Sequence, residues 1–236
     1  MKAIIIDDER LARKELTSLL DNHPEIQIID EATNADEAIE KIEKQNPDVI
    51  FLDIQMPGKT GFELLESLER VPQVIFTTAY DEFALKAFDF NALDYLLKPI
   101  QADRLSESII KIKTKLPKKS SLDRKLSPED QVFVKDGDKC WFVKLEDVRL
   151  FESDGNYIKV YFEKFKPMIH KSLNALDEKL DDRSFFRASR KHIINLVWVE
   201  SIDTWFNGGL LVQLKGGEKI EVSRRQSAKF REMMSL

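Results

Sequence analysis

The sequence predicts an α/β doubly wound, five-stranded parallel sheet followed by a mainly antiparallel β domain. Three observations carry this. Through residue 115, short wholly apolar runs alternate with stretches whose apolar residues recur at helical spacing; a polar, charged segment follows; beyond it the pattern becomes one of strands and glycine turns. Strands that are apolar on both faces and alternate with helices call for a parallel sheet covered on two sides.

In the first half, Ala3 to Ile6, Ile26 to Ile29, Val49 to Leu52, Val74 to Phe76 and Tyr95 to Leu97 read as strands. Ala12, Leu16, Leu19 and Leu20 form one helical stripe, Ala35, Ala38, Ile39 and Ile42 a second, and Leu105, Ile109, Ile112 and Leu116 a third. Pro24, Pro47, Pro57, Pro72 and Pro99 fall at junctions, where a missing N–H does least harm. From Pro117 to Pro128 the text is PKKSSLDRKLSP, with no sustained apolar period, as in a linker. The expected division is therefore residues 1–115, a linker at 116–130 and a second domain at 131–236.

In that second domain Gln131 to Val134, Trp141 to Val143, Tyr157 to Phe162, Ile193 to Val199 and Leu210 to Leu214 are β-prone. Six of the eight glycines lie there, in turn signals such as Asp154-Gly155-Asn156 and Asn207-Gly208-Gly209. Two helices are expected. One starts at Ser172, with Leu173, Leu176 and Leu180 on one face; the other starts at Ser223, whose Gln226 completes a capping box. They are too far apart in sequence for a helix-turn-helix.

Composition narrows the function classes. Of 236 residues, 42% are hydrophobic and 33% charged, enough apolar content to bury a core. The start, MKAIIIDDER, is too briefly apolar for a signal peptide, and no run approaches a membrane span, so a cytoplasmic protein is expected. A lone cysteine, Cys140, excludes an intrachain disulfide and reads as an inert strand residue. The net charge of −5 is the sum of −9 over residues 1–115 (14 Lys+Arg, 23 Asp+Glu) and +4 over the remainder (23 and 19). A basic second half suits a polyanion partner.

The chemistry of the first half begins with its acids. Asp7 and Asp8 follow the first strand and Asp53 ends the third, and a doubly wound sheet binds ligands at the carboxyl ends of its strands. Three converging carboxylates need a cation, and an oxygen-rich site suits Mg²⁺. Thr78 and Lys98, after strands four and five, add a hydroxyl and an ammonium for a phosphoryl group. Acceptor carboxylate, metal, hydroxyl and cation together are the equipment for phosphoryl transfer onto an aspartate.

Residues 1 to about 115 resemble a response-regulator receiver domain, which is flavodoxin-like. The resemblance rests on IIIDDER, VIFLDIQMPGKTG around Asp53, FTTAY with Thr78, and LDYLLKPI with Tyr95 and Lys98. It implies Asp53 as phosphoacceptor, Asp8 as a direct Mg²⁺ ligand supported by Asp7, and the Gln55 carbonyl as a further ligand. Thr78 and Tyr95 would form a switch pair and Lys98 would contact the phosphoryl group. Haloacid-dehalogenase-like phosphatases also use a nucleophilic aspartate, in D-x-D-x-[TV] after strand one. Here Glu9 fills the second acid position and Leu11 the last, which weakens that reading.

In the second half, a capped Ser223 puts Arg224 and Arg225 in the first helical turn, where the macrodipole disfavours cations by roughly 0.3 to 1 kcal/mol each. A phosphate or a guanine edge would compensate. Arg187, Arg190, Lys191 and His192 form a second basic cluster, and Asn156, Tyr157 and Lys159 follow the turn at Gly155. Each cluster could equally be a solvated basic face. Phe151, Trp198 and Trp205 read as core or platform aromatics.

Residues from about 131 to 236 are similar to a LytTR-type DNA-binding domain, through VRLFESDGNYIKVYF, FFRASRKHIINLVWVESID and the ending IEVSRRQ. The resemblance implies DNA contacts from Asn156 and Tyr157, from Ser189, Arg190 and Lys191, and from the helix start at Arg224. The expectation is a two-component response regulator and not an enzyme beyond its own phosphoryl transfer and dephosphorylation. A histidine kinase would phosphorylate Asp53, reshaping the receiver's fourth helix and fifth strand and favouring homodimers on double-stranded promoter DNA. The alternative is a receiver-controlled output module that binds protein or RNA.

Overall fold

The computed structural model describes residues 1–79, 94–115, 125–137 and 139–234. The helix expected between the fourth and fifth strands falls on residues 80–93, outside the described residues. The chain divides into two compact units. Unit one comprises Met1–Arg124, Gln131–Phe133 and Gly137–Phe142; unit two comprises Lys125–Asp130, Val134–Asp136 and Val143–Leu236.

In unit one, β1 (Lys2–Ile6), β2 (Gln27–Ala32), β3 (Val49–Leu52), β4 (Gln73–Thr78) and β5 (Asp94–Leu97) form one parallel sheet in the order β2-β1-β3-β4-β5. The winding reverses beside β1 and β3, which is where such a sheet opens a ligand crevice. Strand alternation separates two cores. Ile4, Ile6, Ile50, Leu52, Val74 and Phe76 face α2 (Ala35–Gln45) and α3 (Gly61–Ser67). Ala3, Ile5, Val49, Phe51 and Ile75 face α1 (Arg10–Leu20) and α4 (Ala102–Lys115). The expected stripes are the buried ones: Leu16 and Leu20, then Ala35, Ala38 and Ile42, then Leu105, Ile109 and Ile112. Leu116 lies outside the described residues.

The second strand departs from expectation. Ile26 closes a turn by donating its N–H to the His23 carbonyl at 2.9 Å, and the strand begins at Gln27 and runs on through Asp30 and Glu31. Those acids are tolerated because the strand is at the sheet edge, with Lys41 2.8 Å from Asp30 and Arg13 2.8 Å from Glu31. Cys140 lies buried on β7 (Lys139–Lys144), paired with β6 (Gln131–Asp136), as a free thiol. Lys125–Asp130, read from the sequence as the end of the linker, are packed. Leu126 is buried, donating its N–H to the Lys179 carbonyl and accepting from Asp181, both at 2.7 Å.

In unit two, β8 (Val148–Asp154), β9 (Tyr157–Phe162), β10 (Met168–Ile169), β11 (Phe185–Arg187) and β12 (His192–Asn195) make an antiparallel sheet, β10-β9-β8-β12-β11. A second antiparallel sheet holds β13 (Val199–Thr204), β14 (Leu210–Leu214) and β15 (Lys219–Val222). Helices α5 (Leu173–Lys179) and α6 (Arg224–Met234) start after Ser172 and Ser223. Phe230 of α6 is fully buried, 4.9 Å from the Phe186 ring.

Two local expectations are corrected. The apolar run Ile193 to Val199 is not one strand: it breaks at Asn195 into β12, a short 3-10 turn (Leu196–Trp198) and β13 of the other sheet. The Asn195 side chain, 1% exposed, causes the break. Its amide donates to the Val148 carbonyl at 2.9 Å and to Leu145 at 3.3 Å, while its oxygen accepts from the Val197 N–H at 3.2 Å. The capping box at Ser223 does not form either. Ser223's own N–H donates to the Ala188 carbonyl at 3.3 Å, which leaves Gln226 nothing to receive, and its carbonyl accepts from Gln226 and Ser227 at 2.8 and 2.9 Å. Replacing Asn195 with Ala strands several buried backbone groups and should cost about 1–3 kcal/mol in urea unfolding. An unchanged midpoint would show that water serves those groups as well.

Candidate functional site

Asp7 and Asp8 leave β1, Asp53 leaves β3, Thr78 ends β4 and Lys98 follows β5, so the carboxyl ends of four strands converge. One carboxylate oxygen of each of Asp7, Asp8 and Asp53 lies within 4.8 Å of the others, with Asp8 exposed and the other two buried. The Lys98 ammonium bridges the buried pair, 2.6 Å from Asp53 Oδ2 and 2.7 Å from Asp7 Oδ2. The remaining oxygens are held by the backbone. Glu9 donates its N–H to Asp7 Oδ1 at 2.9 Å, and Gln55, itself exposed, donates to Asp53 Oδ1 at 3.0 Å.

Burial pushes the Asp7 carboxyl above its ordinary value, against the pull of Lys98 and the Glu9 amide. Burial also works against the Lys98 charge, but its hydrogen bonds to Asp53 and Asp7 outweigh this and raise it. Lys98 thus stays cationic and offsets one carboxylate charge of the buried pair. Three carboxylate oxygens within 4.8 Å of one another, one of them on an exposed residue, form a donor set that fits a hard divalent cation. The Thr78 hydroxyl is fully buried and has no hydrogen-bond partner among the described residues, so an acceptor is wanted where β4 ends. Tyr95 lies inside β5 opposite Phe76, partly buried, three residues before Lys98.

Sequence reasoning missed two supporting residues. Arg13 of α1 donates to the Asp7 carbonyl at 2.8 Å and the Asp8 carbonyl at 3.3 Å, clamping the acidic turn while pairing with Glu31. Gly61 opens α3 against the Asp53 backbone: a Cβ there would sit 2.5 Å from the Asp53 carbonyl oxygen.

In unit two, Ser189, Arg190, Lys191, Arg224 and Arg225 line one concave surface. Arg224 and Arg225 open α6, are exposed, and have no ion-pair or hydrogen-bond partner among the described residues. Arg187, counted in the basic cluster, is instead a brace. Its guanidinium donates to the carbonyls of Ser189 at 2.7 Å, Leu173 at 2.9 Å and Arg190 at 2.9 Å, folding the turn that presents Arg190. Ser189 Oγ lies 3.1 Å from His192 Nδ1 and accepts the Lys191 N–H at 3.1 Å. Burial holds the His192 imidazole below its usual value, opposed by Glu152.

The β8–β9 hairpin stands beside this surface and not in its lining. Asn156 and Tyr157 are exposed there, Tyr157 edge-on to His170, while Lys159 is paired with Asp154 at 2.5 Å. Of the aromatics read as core or platform, Phe151 is core and Trp205 is 36% exposed.

Removing the Lys98 charge tests the acidic site. In Lys98→Met the Asp7 carboxyl should rise further above 3.8. The folded protein would then hold a proton that the unfolded chain releases, so its stability should fall as pH climbs from about 4 towards neutrality, more steeply than in the parent. Mg²⁺ should recover part of the loss. Parallel stability–pH curves in urea titrations would show that Lys98 does not control the Asp7 charge.

Residues 3–110 match the response regulator receiver domain family and residues 138–235 the LytTr DNA-binding domain family. The chain is 33% identical to the sensory transduction protein LytT of Enterococcus faecalis (strain ATCC 700802 / V583), covering 100% of both chains. It is 37% identical to a response regulatory protein of Vibrio cholerae serotype O1, covering 99% of this chain and 98% of that one. Among solved structures, the response regulatory domain of protein mrkE from Klebsiella pneumoniae is 34% identical, with a TM-score of 0.44 over 48% of this chain and 96% of that chain. No helix among the described residues is long and apolar enough to cross a membrane. Two family matches that between them take in most of the sequence, and relatives alike from end to end, place the chain in the LytTR family of response regulators, DNA-binding regulators that join a receiver to a LytTR domain.

Proposed function

We propose that the protein is phosphorylated on Asp53 by a sensor histidine kinase and, in that state, dimerises and binds promoter DNA. On this reading residues 1–115 are the receiver, 116–130 the linker and 131–236 the DNA-binding domain. The observation that carries it is the pairing of a bridging ammonium with an orphaned hydroxyl: Lys98 already reaches Asp53, and the buried Thr78 oxygen has no partner among the described residues.

Asp53 Oδ attacks the phosphorus of a phosphohistidine whose other ring nitrogen is protonated; the P–N bond breaks as the P–O bond forms, and neutral imidazole leaves with that proton and the P–N electron pair. Asp7, Asp8, Asp53 and the Gln55 carbonyl would hold Mg²⁺, which supplies charge neutralisation at the phosphoryl oxygens. Lys98 exchanges its bond to the Asp53 carboxylate for one to the phosphoryl group, and Thr78 donates its hydroxyl to a second phosphoryl oxygen. As Thr78 is drawn in, Tyr95 turns towards the vacated space, biasing an equilibrium that already exists. Apart from this self-modification the protein acts by binding, as a regulator.

In the output domain Arg190 and Arg224 are assigned as base readers, and Lys191 and Arg225 as phosphate anchors. Asn156, Tyr157, Lys159 and Ser189 complete the contact set. With Mg²⁺ and a small phosphodonor, the parent should gain acid-labile phosphate and a dimer in sedimentation, and Asp53→Asn neither. Phosphate persisting at parental level in the Asn variant would overturn the assignment. Arg190→Ala or Arg224→Ala should cost about 1–3 kcal/mol on the best duplex and relax preference at particular base pairs. Lys191→Ala and Arg225→Ala should instead weaken all duplexes alike and reduce the log K against log salt slope by roughly one unit each. Equal effects of all four on every duplex would erase the distinction.

A further inference from the structure

We infer that Trp205 and Phe206 form an apolar DNA-reading knuckle that contacts a thymine methyl group beside the base addressed by Arg224. The inference rests on the reading of the Arg190–Arg224 surface as the DNA interface and adds to it a contact that is not ionic. Phe206 is 75% exposed and Trp205 36%, their rings edge-to-face with centroids 4.9 Å apart. Phe206 stands mostly in water and Trp205 keeps about a third of its surface open, an apolar face that their own unit does not cover, and both line the same concave surface as Arg190 and Arg224.

Their position is set by the backbone. The turn closes through the Trp205 N–H to the Gly209 carbonyl at 3.0 Å and the Gly209 N–H to the Phe206 carbonyl at 3.1 Å. Gly208 has φ +78, and a Cβ on it would lie 3.9 Å from Arg224 Cγ; one on Gly209 would lie 3.0 Å from the Val222 carbonyl. The glycines therefore bring the turn flush against the last residue of β15 and the first of α6. The knuckle cannot leave Arg224's side without breaking that contact.

The surrounding charge selects the occupant. A surface carrying Arg190, Lys191, Arg224 and Arg225 suits a polyanion, and the apolar group a duplex offers within reach of an arginine on a guanine edge is the C5-methyl of thymine in the same groove. A second copy of this chain would bring the same four cations against the patch.

The test uses the full chain and the best duplex it selects from a random pool, together with copies in which each thymine in turn is replaced by deoxyuridine, which lacks only the methyl. The parent should lose about fourfold in affinity at one or two thymines, the worth of one buried methyl group. Phe206→Ala should bind the thymine duplex about fourfold more weakly and show no further loss on the uracil copy. Phe206→Leu should restore part of the difference. A methyl penalty of equal size in parent and Phe206→Ala at every thymine would overturn the inference while leaving the DNA interface standing. So would a Phe206→Ala variant that binds all duplexes as the parent does but self-associates less, since the patch would then join two copies. Failure to enrich any duplex would remove the interface reading itself, and the knuckle with it.

Discussion

Two buried carboxylates on neighbouring strands cannot both stay ionised without a cation between them, and Lys98 is that cation. Asp7 and Asp53 come together because β1 and β3 are adjacent, and Lys98 reaches both because β5, at the far side of β4, delivers it after Leu97. The sheet order and the site are thus one fact. On the proposed reading the same ammonium would make the pocket convertible: it satisfies the acids while they stand alone and would have a stronger acceptor to turn to once Asp53 was phosphorylated. The backbone N–H groups of Glu9 and Gln55 fix the carboxylates and the Arg13 guanidinium holds the main-chain carbonyls of the acidic turn, leaving the lysine as the movable element.

The first unit was readable to the level of its elements because parallel strands buried on both faces advertise themselves as apolar runs, and covering helices as stripes. What could not be read there was long-range: nothing local to Gly61 says that the Asp53 carbonyl will pass 2.5 Å from its missing Cβ, and Arg13 resembles any surface arginine on an amphipathic helix. Ile26 misled because an apolar residue in a tight turn looks the same as one in a strand.

The second unit was harder for a physical reason. An antiparallel module with short strands takes its shape from side-chain bonds to distant carbonyls, and these leave no periodic trace. Asn195 cuts an otherwise apolar run by bonding residues about fifty positions away in sequence. Arg187 sits in a cluster of cations but is consumed by three carbonyls, and nothing local to Trp205 told whether it would be core or an exposed platform. At Ser223 the local pattern was right about where the helix begins and wrong about what holds it, since the Ala188 carbonyl had already claimed the N–H.

That last bond links Ser223, immediately before the α6 arginines, to Ala188, immediately before the turn that presents Arg190. Two stretches of chain that project cations onto one surface are therefore pinned backbone to backbone, in a unit where the corner at Asn195 sets the second sheet against the first. The result works as a fixed-span caliper. Its jaws can be refitted with other side chains while the gap between them stays constant, because the bond across it joins backbone groups and the side chains that brace it, Arg187 and Asn195, are not the cations it presents. If the two stretches are the DNA contacts proposed for them, divergence within such a scaffold would alter which bases are read at each jaw long before it altered the number of base pairs between them.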